Sequence, residues 1–257
     1  PSPSDRKVQA EVLAQAAGWH AMLIKSPPFQ LQAYLPEFSK QESALTVYIE
    51  GDGFAWSSSS TPSADPTPRD PLALKLALAQ TQGNSAYLGR PCQYVEAEHT
   101  GCPQRYWTHA RFAPEVIAAT HEAIHVLKQR FGANRLTLVG YSGGAAVAAL
   151  LAAERDDVEL LVTVAGNLDH AAWTALHDID PLVDSLNPAA FAEKLVKLPQ
   201  VHFVGGKDVV IPPSLAYQWP QAFRGPENSN IHVIVSFSHH CCWAENWQHL
   251  YSEALYK

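Results

Sequence analysis

No stretch of this 257-residue chain strings together the roughly 18–20 apolar residues that a helix needs to cross a bilayer. It holds no run of Lys or Arg either. Its 18 basic side chains face 25 acidic ones, a formal net charge of −7, which argues against the cationic surface that a nucleic-acid backbone requires. Charged residues make up only 17% of the chain and hydrophobic ones 47%, the balance of a globular protein and not of a disordered or fibrous one. Cysteine is scarce: Cys92, Cys102, Cys241 and Cys242 lack the repeated C-x-x-C spacing of a structural zinc site, and no metal or organic cofactor is expected. No internal repeat or low-complexity linker divides the chain, so residues 1–257 read as a single domain with a sizeable core. The even cysteine count allows disulfides, which belong to the periplasm or the cell exterior. No signal peptide is visible, but the sequence opens at Pro1-Ser2-Pro3-Ser4 without Met, as a processed chain does. The expected location is therefore periplasmic or secreted, and the expected class is a soluble enzyme or a soluble binding module.

Short apolar runs rich in β-branched and aromatic residues recur at 45–49, 85–88, 136–139, 160–164, 201–204 and 231–235. Several are apolar throughout, the pattern of strands buried on both faces of a parallel sheet. Helical patterns separate them. Residues 71–80 have Asp70 as the expected N-cap and Pro71 at the first helical position. Residues 114–130 place Val116, Ile117, Ile124 and Leu127 at helical spacing, with Gly132 just beyond the end. Residues 143–155 are rich in Ala and Leu and predict a buried helix. The alternation predicts a doubly wound α/β sheet. Two stretches interrupt it. Residues 56–70, dense in Ser, Pro and Thr, predict a surface loop. Residues 167–200 are longer than an ordinary connection and predict a small cap carrying Trp173, Leu176 and Phe191.

The sharpest chemical signal is Gly140-Tyr141-Ser142-Gly143-Gly144, placed between a predicted strand and a predicted helix. This is the G-x-S-x-G nucleophile elbow in the context it requires. A sharp turn there lifts the Ser142 hydroxyl above the sheet edge, and the helix N-terminus behind it favours developing negative charge. A serine nucleophile needs a base, and the base needs an acid that fixes its tautomer. Asp208 lies in the loop leaving the strand at 201–204, at the sheet edge where α/β sites assemble. Its rivals Asp169, Asp178, Asp180 and Asp184 fall in the predicted cap. After the strand at 231–235 come His239 and His240, side by side, of which only one can reach Ser142; His239 is preferred. The remaining histidines, including His170, His202 and His249, are expected to be structural.

A tetrahedral intermediate also needs donors. The Gly143 backbone N–H is the first, and the loop Glu50-Gly51-Asp52-Gly53 offers a second through the backbone of Asp52. A carboxylate facing an oxyanion would repel it, so the side chains of Glu50 and Asp52 are expected to point away and brace the loop. Trp56, Tyr141, Trp173 and Phe191 are candidates to line a substrate site.

The order of these motifs resembles the α/β-hydrolase superfamily over nearly the whole chain. More narrowly, the segments 47–53 (VYIEGDG), 90–94 (RPCQY) and 239–243 (HHCCW) look like a group of bacterial, often exported, α/β hydrolases. The resemblance implies an eight-stranded sheet with a Ser-Asp-His triad, and the group's pattern of His, one residue, then Cys-Cys-Trp selects His239. In that frame a Cys92–Cys102 disulfide pins its loop, worth about 2–3 kcal/mol by loop-closure entropy, while Cys241 and Cys242 form a vicinal disulfide or stay reduced. The implied reaction is hydrolysis of a small-molecule or lipid-like carboxylic ester. Peptidase, amidase or thioesterase chemistry on the same triad, or a non-catalytic ligand-binding module, are the alternatives.

Overall fold

A computed structural model describes residues 1–219 and 230–255; the remainder of the expected 1–257 domain lies outside the described residues. The chain opens with helix α1 (Pro3–Ala16), started by a capping box in which Ser2 and Asp5 exchange side-chain and backbone bonds. Strands β1 (Trp19–Ser26) and β2 (Phe29–Pro36) follow as an antiparallel hairpin. Then come β3 (Ala44–Ile49), α2 (Leu72–Ala79), β4 (Asn84–Leu88), α3 (Ala97–Thr100) and α4 (Pro114–Phe131). The second half runs β5 (Arg135–Tyr141), α5 (Gly143–Glu154), β6 (Val158–Val164), α6 (His170–Leu176) and α7 (Ala192–Leu195). It closes with β7 (Gln200–Gly205), α8 (Pro213–Ala216), β8 (Ile231–Ile234) and α9 (Trp243–Leu255).

The eight strands form one sheet in the order β1-β2-β4-β3-β5-β6-β7-β8. β2 runs antiparallel to both neighbours and every other pairing is parallel. Alternation along the strands divides the core. Leu45, Val47 and Ile49 of β3 with Leu136 and Leu138 of β5 face α4 and α5, while Tyr48 and Val139 face α2 and α9. Helix α5 is buried almost all round, as an Ala/Leu-rich helix under a sheet must be. α4 ends where Gly132 adopts φ 63°, a left-handed C-cap that glycine takes without a Cβ penalty.

Several expectations shift. The pattern of apolar runs missed α1, β1 and β2; β2 alternates polar with apolar residues over 29–33, and β1, whose short apolar run 21–24 is only half covered, is an edge strand. Asp70 does not cap α2: Pro71 occupies that position without a side-chain cap, and the Asp70 carboxylate pairs with Lys75 Nζ at 2.5 Å. The 231–235 run ends one residue early, leaving Val235 exposed. Residues 56–70 contain no helix or strand, yet they are not simply a surface loop. Ser63, Asp65 and Thr67 are buried, and their polar groups are hydrogen-bonded, several of them to distant segments. Asp65 accepts from the backbone N–H groups of Thr67 (2.8 Å) and Ala97 (3.0 Å), and buried Arg6 of α1 donates to the carbonyls of Asp65 and Thr67. Residues 167–200 hold α6, a 3-10 turn (Pro188–Phe191) and α7, and pack Leu182 and Leu195 onto the α5 side of the core.

Candidate active site

Ser142, Asp208, His239 and the Asp52 loop gather beyond the carboxyl ends of the parallel strands. Ser142 joins β5 to α5 with φ 52° and ψ −117°, a backbone region that a residue with a Cβ occupies only when its surroundings enforce it. The enforcing contacts are visible at the flanking glycines. A Cβ on Gly140 would lie 2.5 Å from the Ala145 backbone, and one on Gly144 would lie 2.3 Å from the Ile49 carbonyl oxygen. Neither position tolerates a side chain, which is the physical content of the motif.

His239 reaches Ser142 and Asp208 with opposite ring nitrogens. Its Nε2 is 3.1 Å from Ser142 Oγ, and its Nδ1 is 2.8 Å from Asp208 Oδ2. Asp208 is only 3% exposed, and its other oxygen accepts from the Val210 and Ile211 N–H groups, both at 2.8 Å. These bonds fix the carboxylate's plane and thereby the imidazole's. His240 points elsewhere. Its Nδ1 is 2.8 Å from the Tyr141 hydroxyl, which also lies 3.2 Å from the His239 carbonyl oxygen. Tyr141 thus ties the elbow to the histidine loop, and its own phenol is pushed well above the usual range, chiefly by burial. Among the other histidines, His170 and His202 are buried and hydrogen-bonded within the fold, His202 to Thr163 and Gln200. Burial lowers the His202 pKa to about 4.

The loop after β3 carries two acids of opposite character. Glu50 is buried, which raises its carboxyl to about 7 despite bonds from the Gly51 N–H (2.9 Å) and the Tyr87 hydroxyl (2.9 Å). It braces the loop as expected. Asp52 does not point away: a Cβ on Gly143 would come 2.0 Å from its Oδ1. What makes this tolerable is a pair of buried guanidiniums, Arg111 Nη1 at 2.6 Å from Oδ2 and Arg90 Nη1 at 3.3 Å from Oδ1. Burial opposes the Asp52 charge, but the two arginines outweigh it and hold the carboxyl below its ordinary pKa. Among the described residues, neither the Gly143 nor the Asp52 backbone N–H has an internal acceptor.

A cleft of about 690 Å³ opens over Ser142. Trp56, Tyr141, Trp173, His239 and His240 border it, with Trp56 42% exposed and the Trp173 indole donating to the Val210 carbonyl at 3.0 Å. Phe191 does not join them; it lies in the 3-10 turn and packs onto the α5 side of the core. The cleft also includes Arg69, Arg111 and Asn167, which sequence reasoning missed. Arg90, behind the cleft, stood within a resembling motif, but nothing in the local pattern marked Arg111 or Asn167. Cys92 and Cys102 are bonded as a disulfide, as are the adjacent Cys241 and Cys242.

No model of a known protein family matches the chain, and no curated protein matches it in sequence. Solved structures do. Est1E from Butyrivibrio proteoclasticus superposes over 92% of this chain and 99% of its own, with a TM-score of 0.62 at 14% identity. The Pyrococcus furiosus esterase Pf2001 superposes over 99% and 95%, with a TM-score of 0.62 at 13% identity. XC6422 from Xanthomonas campestris, described as an α/β serine hydrolase without lid, covers 92% and 93%, with a TM-score of 0.61 at 14% identity. The chain therefore has the α/β-hydrolase fold. At these identities the likeness speaks for the fold alone.

Proposed function

We propose that the protein is a serine hydrolase that cleaves carboxylic esters through an acyl-enzyme. The observation that carries this reading is the hydrogen-bonded chain Ser142–His239–Asp208 at the floor of an open cleft, in the one geometry a triad requires. His239 takes the Ser142 proton as Oγ attacks the ester carbonyl. The resulting oxyanion is met by the free N–H groups of Gly143 and Asp52, and Asp208 stabilises the imidazolium. The protonated His239 then gives its proton to the departing alkoxide, leaving alcohol and acyl-enzyme. Water attacks the acyl carbon by the same base and releases the acid. Residues 167–200 serve as a cap whose Trp173 and Asn167 wall the substrate site. A location in the periplasm or outside the cell is supported by the oxidised state of all four cysteines.

Fluorophosphonate labelling with intact-mass readout tests the reading. One adduct on the wild type and none on Ser142→Ala is expected. A folded wild type that takes no adduct would put a ligand-binding role in its place. Matched 4-nitrophenyl esters and 4-nitroanilides then separate ester from amide cleavage; turnover of the esters alone is the expected result.

A further inference from the structure

The two arginines bordering the cleft are less fully paired than its three acids. Arg90 and Arg111 share one carboxylate, Asp52, and all three side chains are largely withdrawn from water; this ion-paired trio carries +1, offset only in part by buried Glu50 near Arg90, whose pKa of about 7 leaves it partly protonated. Arg111 is 4% exposed. Its Nε donates to the Thr108 carbonyl and its Nη1 to Asp52, while Nη2 has no partner among the described residues. Asn167, also 4% exposed, holds the Ser142 carbonyl with its backbone N–H at 3.1 Å, yet its side-chain amide makes no hydrogen bond among the described residues. Both residues line the cleft beside Ser142.

A third group agrees. Arg69 lies in the same cleft with its guanidinium 3.7 Å from the centre of the Phe54 ring, and no carboxylate pairs with it among the described residues. The acids of the cleft are committed elsewhere: Asp70 to Lys75, Glu50 to Gly51 and Tyr87, Asp52 to the two arginines. An acidic chain that nevertheless leaves two arginines and a carboxamide open at one cleft has built a receptor for negative charge.

We propose that the substrate is an ester bearing a second, anionic group, a carboxylate, which Arg111 and Asn167 hold at the cleft wall and Arg69 attracts at its mouth. The proposal rests on the hydrolase reading and names its substrate class. The flat carboxylate suits the guanidinium fork. Trp173, whose ring centre lies 5.8 Å from the Arg111 guanidinium, borders that subsite.

The test compares the 4-nitrophenyl monoester of glutaric acid with 4-nitrophenyl valerate, an uncharged acyl group of the same length, and 3-carboxyphenyl acetate with phenyl acetate for an anion on the alcohol side. The quantity read is the ratio of kcat/KM for the charged and uncharged members of each pair, which cancels losses common to both. The expected wild-type ratio is about tenfold or more in favour of the anion for one pair, falling with added salt. Arg69→Gln and Arg111→Gln should bring it towards unity; the second leaves Asp52 and Arg90 as a neutral pair. Should Arg111→Gln fail to fold, Arg69→Gln carries the test. Calorimetric titration of Ser142→Ala with monomethyl glutarate and methyl valerate reads the subsite without turnover. Preference for the charged ligand supports the subsite even if no ester is cleaved. Ratios at or below unity in both substrate pairs, with equal binding of the two titrated ligands, overturn it, and leave the hydrolase reading intact provided fluorophosphonate still labels Ser142.

Discussion

Ser142 is held at a backbone angle that costs a non-glycine residue about 1–3 kcal/mol, and the cost is borne because Gly140 and Gly144 let β3, β5 and α5 approach closely. Replacing Gly144 by Ala should force the Ile49 and Glu50 carbonyls apart and destabilise the fold by about 3 kcal/mol, measured as a shift in denaturation midpoint at constant slope. Asp208→Asn retains the shape of the acceptor but loses the charge that selects the His239 tautomer. Its kcat should fall by about 10⁴-fold with stability little changed. The two adjacent histidines give a sharper contrast. His239→Ala should remove ester turnover, whereas His240→Ala, which loses the Tyr141 hydrogen bond and an edge contact with the His239 ring but no bond to Ser142, should lower it by no more than roughly tenfold. At this scale Ser142, Asp208 and the two histidine positions were legible, because motif and chain order mark them. Which histidine faces the serine depends on loop backbone, and local pattern expressed that only as a preference.

Among elements, the loop after β3 and the loop after β4 act together. Gln93, inside the loop closed by the Cys92–Cys102 disulfide, and Arg90, just before it, hold the Gly51 carbonyl oxygen and Asp52 at 3.0 Å and 3.3 Å. Replacing both cysteines by Ser should cost about 2–3 kcal/mol of unfolding free energy on the loop-entropy account. It should also lower kcat more than it raises KM, since the loop proposed to supply the Asp52 donor loses its support; steady-state kinetics on a neutral ester reads both. Strands β3, β5, β6 and β7 were visible as apolar runs because both their faces are covered. The β1–β2 hairpin was not, because β2 alternates over 29–33 and the short apolar run of β1 sits half-covered at the sheet edge, and Arg111 was not, because its partner lies 59 residues away.

At the level of the whole molecule, the buried Glu50 links stability to pH. Its folded pKa of about 7 exceeds the reference 4.5, so between those values the folded state holds a proton that the unfolded chain has released. Stability therefore falls as pH rises from about 4.5 to 7, by about 3 kcal/mol from this group. Asp52 acts in the opposite sense: its lowered pKa contributes stability above the ordinary carboxylate range that is lost as pH falls through its folded value. Urea denaturation at a series of pH values should show the Glu50 decline in the wild type and a flatter profile in Glu50→Gln.

The sequence by itself determined the alternation of strand and helix, the elbow, and the order of serine, acid and histidine, since each is written in local spacing and residue type. The tertiary structure alone decided that the Asp52 carboxylate turns toward Gly143, and that Arg111 and Asn167 open onto the cleft. Those outcomes follow from long-range charge neutralisation: a buried carboxylate takes the orientation in which two guanidiniums, distant in sequence, meet it, and no local pattern encodes such a meeting.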